Sequence, residues 1–275
     1  MKKKLILCGI ACQLLLINGW TQLIDVAVIL FILAVASFSN NVISAFLKSK
    51  NIDLIKSTCY LNENHKIKIL DNIPILSFIL LKGKCRTCEG KIPIRFLLVE
   101  ITTILTGVPL YLMEGFSILF LTRFLFLTVL IWIAVVDIYF FRIPNKLLLV
   151  LFGLLIFEFV FFNNIMLINI AFGGLVAAIL LLLRQYYLLR KNKDILGMGD
   201  LKLIIILFVL MPAEISLFAL WGASVLGIIF TLINIKISKV GFNQKLPFAP
   251  FLNISFGICL IFQDYLIMQY YKLLY

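Results

Sequence analysis

The chain has 275 residues, of which 63% are hydrophobic and only 14% charged, far more apolar than a soluble domain that must keep a wettable surface. Its net charge of +12 raises the question of nucleic acid. No element resembling a nucleic-acid reading head accompanies that charge, so the reading is no nucleic acid and, instead, cations laid out by membrane topology against anionic phospholipid.

Three lysines, Lys2 to Lys4, precede an apolar stretch from Leu5 to Ile17, which suits a retained anchor or a removed secretory signal. No small-x-small cleavage site closes residues 1–20, and the retained anchor is preferred. Runs long enough to cross about 30 Å of hydrocarbon place spans at roughly 5–20, 24–47, 96–113, 117–136, 147–162, 166–187, 201–212, 215–235 and 248–271. The expectation is an all-α, polytopic helical membrane protein with about 8–9 transmembrane helices and one cytoplasmic loop insertion. It is expected to divide into N-terminal membrane segments (1–47), the loop (48–95) and a helical membrane domain (96–275), the part in which the candidate catalytic carboxylates below fall. Lys and Arg resist translocation. With Lys2 to Lys4 inside, 23 of the 25 cations fall on the cytoplasmic side, ten of them between Lys48 and Arg95, leaving Arg123 and Lys272.

Six cysteines are present, and Cys8, Cys12 and Cys259 fall in spans. The loop cysteines Cys59, Cys85 and Cys88 face a reducing compartment, where disulfides are disfavoured.

An Asp in or at the rim of a span costs a few kcal/mol, about 2.5–3.5 on insertion scales, and so calls for a reason. Asp137 closes the apolar run from Phe116 to Val136, and Asp200 opens the run from Leu203 to Leu210. Both fall at the cytoplasmic rim. Two carboxylates at one depth are the minimum apparatus for acid and base catalysis of peptide hydrolysis, with water as nucleophile. Gly197 and Gly199 remove side chains beside Asp200 and admit the close approach of a backbone, either a neighbouring helix or an extended substrate. Pro144 starts the next helix in a short turn, Ile143 to Asn145, that holds Asp137 near the surface. The helix dipoles favour an ionised Asp200 as base and a protonated Asp137 as acid, in a pair that titrates as a unit. Capping or snorkelling beside Arg142 or Lys202 is the commoner use of a lone rim Asp. Asp25, Glu100, Glu158 and Asp264 are assigned to that use.

These residues resemble the bacterial type IV prepilin peptidases, membrane aspartyl proteases that share a Gly-x-Gly-Asp signature with presenilin-type enzymes. The segment from Asp71 to Cys88, with Asn72, Pro74 and the Cys85-x-x-Cys88 pair, is similar to the family's cytoplasmic loop, and Pro93, Arg95 and Glu100 follow it. Asp137 with Ile143, Pro144 and Asn145 resembles the first catalytic motif. Gly197, Gly199, Asp200 and Lys202 resemble the second, and Leu246 to Phe251 resembles the proline-bearing turn into the last span. The likeness runs in order from about residue 36 to the last span. It implies Asp137 and Asp200 as catalytic residues, supported by Gly197, Gly199, Lys202 and Pro144. It also implies removal of the short basic leader from prepilin or pseudopilin-like substrates at the cytoplasmic face of a bacterial plasma (inner) membrane, with no cofactor for proteolysis. Many members also methylate the new N-terminus with S-adenosylmethionine.

The chain departs from the family in its loop. Where members carry a first Cys-x-x-Cys pair, this sequence has Tyr60 and Glu63, with Cys59 one residue away. A four-thiolate zinc site is therefore absent. A mixed site of Cys59, His65, Cys85 and Cys88 stays open, although unligated thiols are preferred. The family's Gly-Ser-Phe-Leu-Asn segment here runs from Ala36 to Asn40. The alternative reading is a non-catalytic membrane protein, either an inactive relative in pilus or competence assembly or a proton-coupled transporter using the same aspartates. No internal repeat supports the transporter.

Overall fold

The computed structural model describes residues 2–48, 73–86, 88–162, 167–192, 196–238 and 246–274, with side chains for all but 2–21, 48, 273 and 274. The helices, numbered in chain order, are α1 (Lys2–Lys48), α2 (Leu76–Leu80), α3 (Arg95–Glu114), α4 (Ile118–Phe140), α5 (Asn145–Phe162), α6 (Leu167–Lys191), α7 (Met198–Leu210), α8 (Ala213–Ser238), α9 (Ala249–Ile261) and α10 (Gln263–Leu274). The expectation of an all-α polytopic membrane protein holds. Its count does not: six of the described helices are long and apolar enough to cross a bilayer, or up to seven if a bent pair is one span.

Three local features account for the difference. Residues 5–20 and 24–47 belong to one unbroken α1, because Gly19, at about 1 kcal/mol relative to Ala, is too weak a breaker to make a turn. The predicted span 201–212 is a helix of 13 residues, about 20 Å at 1.5 Å per residue and short of a crossing. The predicted span 248–271 bends by 76° between α9 and α10, where Gln263 and Asp264 end the apolar run.

The chain forms two compact units, Met1–Asn41 with Leu54–Tyr111, and Val42–Asp53 with Leu112–Tyr275. In the first, the buried Glu100 of α3 gathers three separated segments. Its Oε2 accepts the Ile75 N–H at 2.8 Å and its Oε1 accepts Asn40 Nδ2 at 3.0 Å. Asn40 also reaches the Phe96 carbonyl at 3.2 Å. Ile75 sits at φ 63°, a left-handed conformation that strains a β-branched residue, and the bond to Glu100 holds it. Tyr111 donates to Asp25 in the same unit. Beyond α2, a small hairpin closes through an antiparallel bridge between Lys84 and Lys91, with Cys85 and Cys88 at its tip.

The second unit is a helical bundle in which α4 packs on α5 and α9, α7 on α5 and α6, and α8 on α9. Lipid tails are as apolar as Leu, so these contacts rest on close packing and interhelical hydrogen bonds more than on hydrophobicity. Phe124, Leu130 and Ile133 of α4, Leu203 and Phe208 of α7 and Leu252 and Phe256 of α9 are buried. Small residues set the spacing. The Ser255 hydroxyl donates to the Ala219 carbonyl at 2.7 Å, and a Cβ on Gly222 would stand 2.6 Å from the Ser255 Oγ. Ser117 caps α4 by accepting the Phe120 N–H at 3.0 Å, a satisfied first-turn donor. Near that end, Arg123 pairs with Glu114 at 2.5 Å and with Glu158 at 3.2 Å.

Candidate active site

Asp137 lies in the last turn of α4, which Phe141 ends in a left-handed cap at φ 52°. The Phe141 N–H donates to the Asp137 carbonyl at 2.8 Å, which closes the helix beneath the carboxylate. The side chain itself is buried. Its Oδ2 accepts the Ala249 N–H at 3.2 Å. That amide opens α9, whose first turn carries Pro250, and such first-turn N–H groups have no partner within their own helix. One turn further along α9, Asn253 Nδ2 donates to the Leu130 carbonyl at 2.7 Å. Thus α9 is fastened antiparallel to α4 at two levels.

Asp200 occupies the first turn of α7, with Gly197 as the residue before the helix. Gly197 makes room for the carboxylate, since a Cβ there would lie 2.8 Å from Asp200 Oδ2. Gly199 makes room for Ile143, whose Cβ would be 3.0 Å away. Within the chain, both glycines therefore make room for side chains rather than for the backbone of a neighbouring helix. The turn Ile143 to Asn145 ends in α5, whose first amides at Leu147 and Leu148 bond the Pro144 carbonyl at 3.1 and 3.3 Å. Lys202 donates to Asn145 Oδ1 at 3.2 Å, so it joins α7 to α5 and does not serve as an Asp200 counter-ion. Arg184 of α6 holds the approach to α7 through the Leu196 carbonyl at 3.1 Å.

The two motifs, 63 positions apart by number in the chain, thus meet where the end of α4 gathers the starts of α5, α7 and α9. Asp200 Oδ1 is buried and has no hydrogen-bond partner among the described residues. It stands in a helix too short to cross the bilayer. Burial first, and the neighbouring Asp137 carboxylate second, push the Asp200 carboxyl up to about 6, because both disfavour a second negative charge. The helix dipole expected to favour an ionised Asp200 is thus opposed by burial and by the Asp137 carboxylate.

The Ala249 amide was missed by sequence reasoning, although Pro250 carried a signal for it, since Pro in a first turn marks a helix start with free donors. Of the loop candidates, Cys85 and Cys88 are half-buried on the hairpin, whereas Cys59 and His65 lie outside the described residues. The pair supplies two of the four ligands that a structural zinc takes. Among the described residues no group of three or more His, Cys, Asp or Glu could hold a metal ion.

Residues 30–113 match the bacterial peptidase A24 N-terminal domain, and residues 124–232 match the type IV leader peptidase family. The chain is 30% identical to a prepilin leader peptidase/N-methyltransferase of Aeromonas salmonicida, over 77% of this chain and 73% of the relative. The protein of that name in Vibrio cholerae is 30% identical over 82% of this chain and 92% of its own. In Bacillus subtilis the identity is 26% over 73% and 79%. No solved structure matches. Two family domains in order and relatives alike over most of both chains lead to one conclusion: this multi-pass membrane protein is a peptidase that belongs to the type IV leader peptidase family.

Proposed function

We propose that the chain is an intramembrane aspartic endopeptidase that removes the basic leader from type IV prepilin or pseudopilin-like precursors, with Asp137 and Asp200 as its dyad. The observation that carries this reading is the convergence of the two motifs at one end of the bundle, where the Asp137 carboxylate acts on the Asp200 carboxyl and is itself held by the first amide of α9. The cation count supports the cytoplasmic face for that end, and the family resemblance a bacterial plasma membrane.

Asp200, with a carboxyl pushed up to about 6 and no donor on Oδ1, holds the proton that the pair shares. Asp137, with the Ala249 N–H on Oδ2, is the base. A water between them gives its proton to Asp137 as its oxygen attacks the scissile carbonyl carbon, and Asp200 donates its proton to the carbonyl oxygen. Collapse of the tetrahedral intermediate breaks the C–N bond. The proton taken by Asp137 passes to the leaving amine, and the gem-diol returns one to Asp200, which regenerates the starting state. This exchanges the roles that the helix dipoles alone suggested. The substrate's apolar segment lies in the bilayer, which suits a dyad set at the end of a bundle.

The relatives' names carry N-methylation as well, for which the resemblance implies S-adenosylmethionine as donor. The test is leader cleavage of a model prepilin in membranes that contain the unsubstituted chain, Asp137→Asn or Asp200→Asn, each at matched expression. Cleavage by the first, with a drop of at least about 100-fold in both variants, supports the dyad, and the N-terminal mass of the product reads methylation. Cleavage by both variants makes the aspartates structural. Failure of the unsubstituted chain on several prepilins favours an inactive relative.

A further inference from the structure

The last helix does not continue the line of the one before it. From Ala249 at Asp137, α9 descends antiparallel to α4, with Asn253 on Leu130 and Gly257 against Leu127, where an added Cβ would stand 3.4 Å from the Leu side chain. At about one turn per four residues, the same antiparallel register carries Ile261 toward the level of Arg123. There the chain bends by 76° into α10. The level is already marked by charge, since the Glu114, Arg123 and Glu158 cluster lies on it. Gln263 and Asp264 open α10 just past the bend.

The surface of α10 is neither apolar enough for the hydrocarbon nor polar enough for water. Tyr265, Met268 and Tyr271 are 58, 66 and 55% exposed, and Asp264 and Lys272 are exposed beside them. At 100° per residue these five positions share one arc of the helix. An arc that mixes Tyr and Met with a charge at either end of its length is the composition of a helix seated at the lipid headgroup boundary, where aromatic rings are enriched.

We propose that α10 lies in the plane of the bilayer, on the side away from Asp137, with Tyr265, Met268 and Tyr271 seated just beneath the phospholipid headgroups, at the boundary with the acyl chains. The partner is the lipid surface itself. The dyad then stands at the other end of α9, about 20 Å away for its 13 residues. The helix acts as a foot that sets the depth and tilt of α9, and so of the amide that meets Asp137. The inference does not depend on what the dyad does.

The test uses the full chain in phosphatidylcholine vesicles whose acyl chains carry bromine either near the headgroup or near the chain end. Tyr265→Trp, Met268→Trp and Tyr271→Trp are made one at a time at these exposed positions, and the signal of Trp20, Trp132 and Trp221 is subtracted with the unsubstituted chain. The expected result is stronger quenching by the headgroup-side bromine at all three positions, at least about twofold, in one common ratio. A ratio that changes steadily from 265 to 271, as the roughly 9 Å of rise along a crossing helix would produce, overturns the proposal. Quenching by aqueous iodide with none by either bromine overturns it too, because the helix would then stand in water.

Discussion

Gly199 of α7 abuts Ile143 of the turn before α5, so closely that a Cβ on the glycine would lie 3.0 Å from the Ile143 Cβ. This contact joins the two sequence motifs. Gly199→Ala forces Ile143 or the start of α7 to move, an overpacking that costs about 1–3 kcal/mol. The thermal midpoint in detergent falls and cleavage falls with it, and Ile143→Ala in the same chain restores part of both. Gly197→Ala differs, because its Cβ meets the far end of a flexible side chain, Asp200 Oδ2, at 2.8 Å. It leaves the thermal midpoint nearly unchanged and lowers kcat, since the carboxylate is the group that is displaced.

Asp200 makes stability depend on pH with a definite sign. Its carboxyl titrates at 3.8 when free and at about 6 when folded, so the folded state binds more protons across that window. Stability is therefore greatest below it and falls as pH rises through about 6. Thermal unfolding of the unsubstituted chain and of Asp200→Asn at several pH values checks this. The variant gains relative to the parent above about pH 6, and loses most of the slope between.

The bond from Lys202 to Asn145, 3.2 Å long and exposed, contributes only about 0.5–1.5 kcal/mol. Lys202→Met and Asn145→Ala each lower cleavage by a few-fold, about 3–10. The double variant is no worse than either alone, as expected if both substitutions loosen the same junction of α7 on α5. Additive losses in the cycle would separate the two residues.

At the other end of α4, Glu158→Gln removes one of the two carboxylates on Arg123. Breaking a buried pair costs about 3–5 kcal/mol. The outcome is a lowered thermal midpoint with unchanged cleavage per folded molecule, because the cluster lies 14 positions from Asp137 by number, about 21 Å along the helix. Loss of activity in folded protein would place that cluster in the working site.

Much of this arrangement is legible in one dimension. Apolar runs report where the backbone must satisfy its own hydrogen bonds, so α3 to α6 and α8 were read within a few residues of their ends. Asp137 and Asp200 were visible as carboxylates at the edge of such runs, and Pro144 and Gly197 as the punctuation around them. These are local properties: each depends on a residue and its near neighbours in the chain.

The rest depended on residues distant in sequence. That α9 stops at Ile261 and turns by 76° is a balance between one polar pair and the packing of two helices, which hydropathy averages away. Glu100, read as a rim carboxylate, proves to tie Ile75 and Asn40 together, and no spacing announces a contact across 60 positions. The Ala249 amide on Asp137 joins residues 112 positions apart. The chain by itself determined which groups would be available at the membrane edge. Tertiary packing alone decided which of them meet, and through burial and the placement of one N–H donor, how differently the two carboxyls are surrounded.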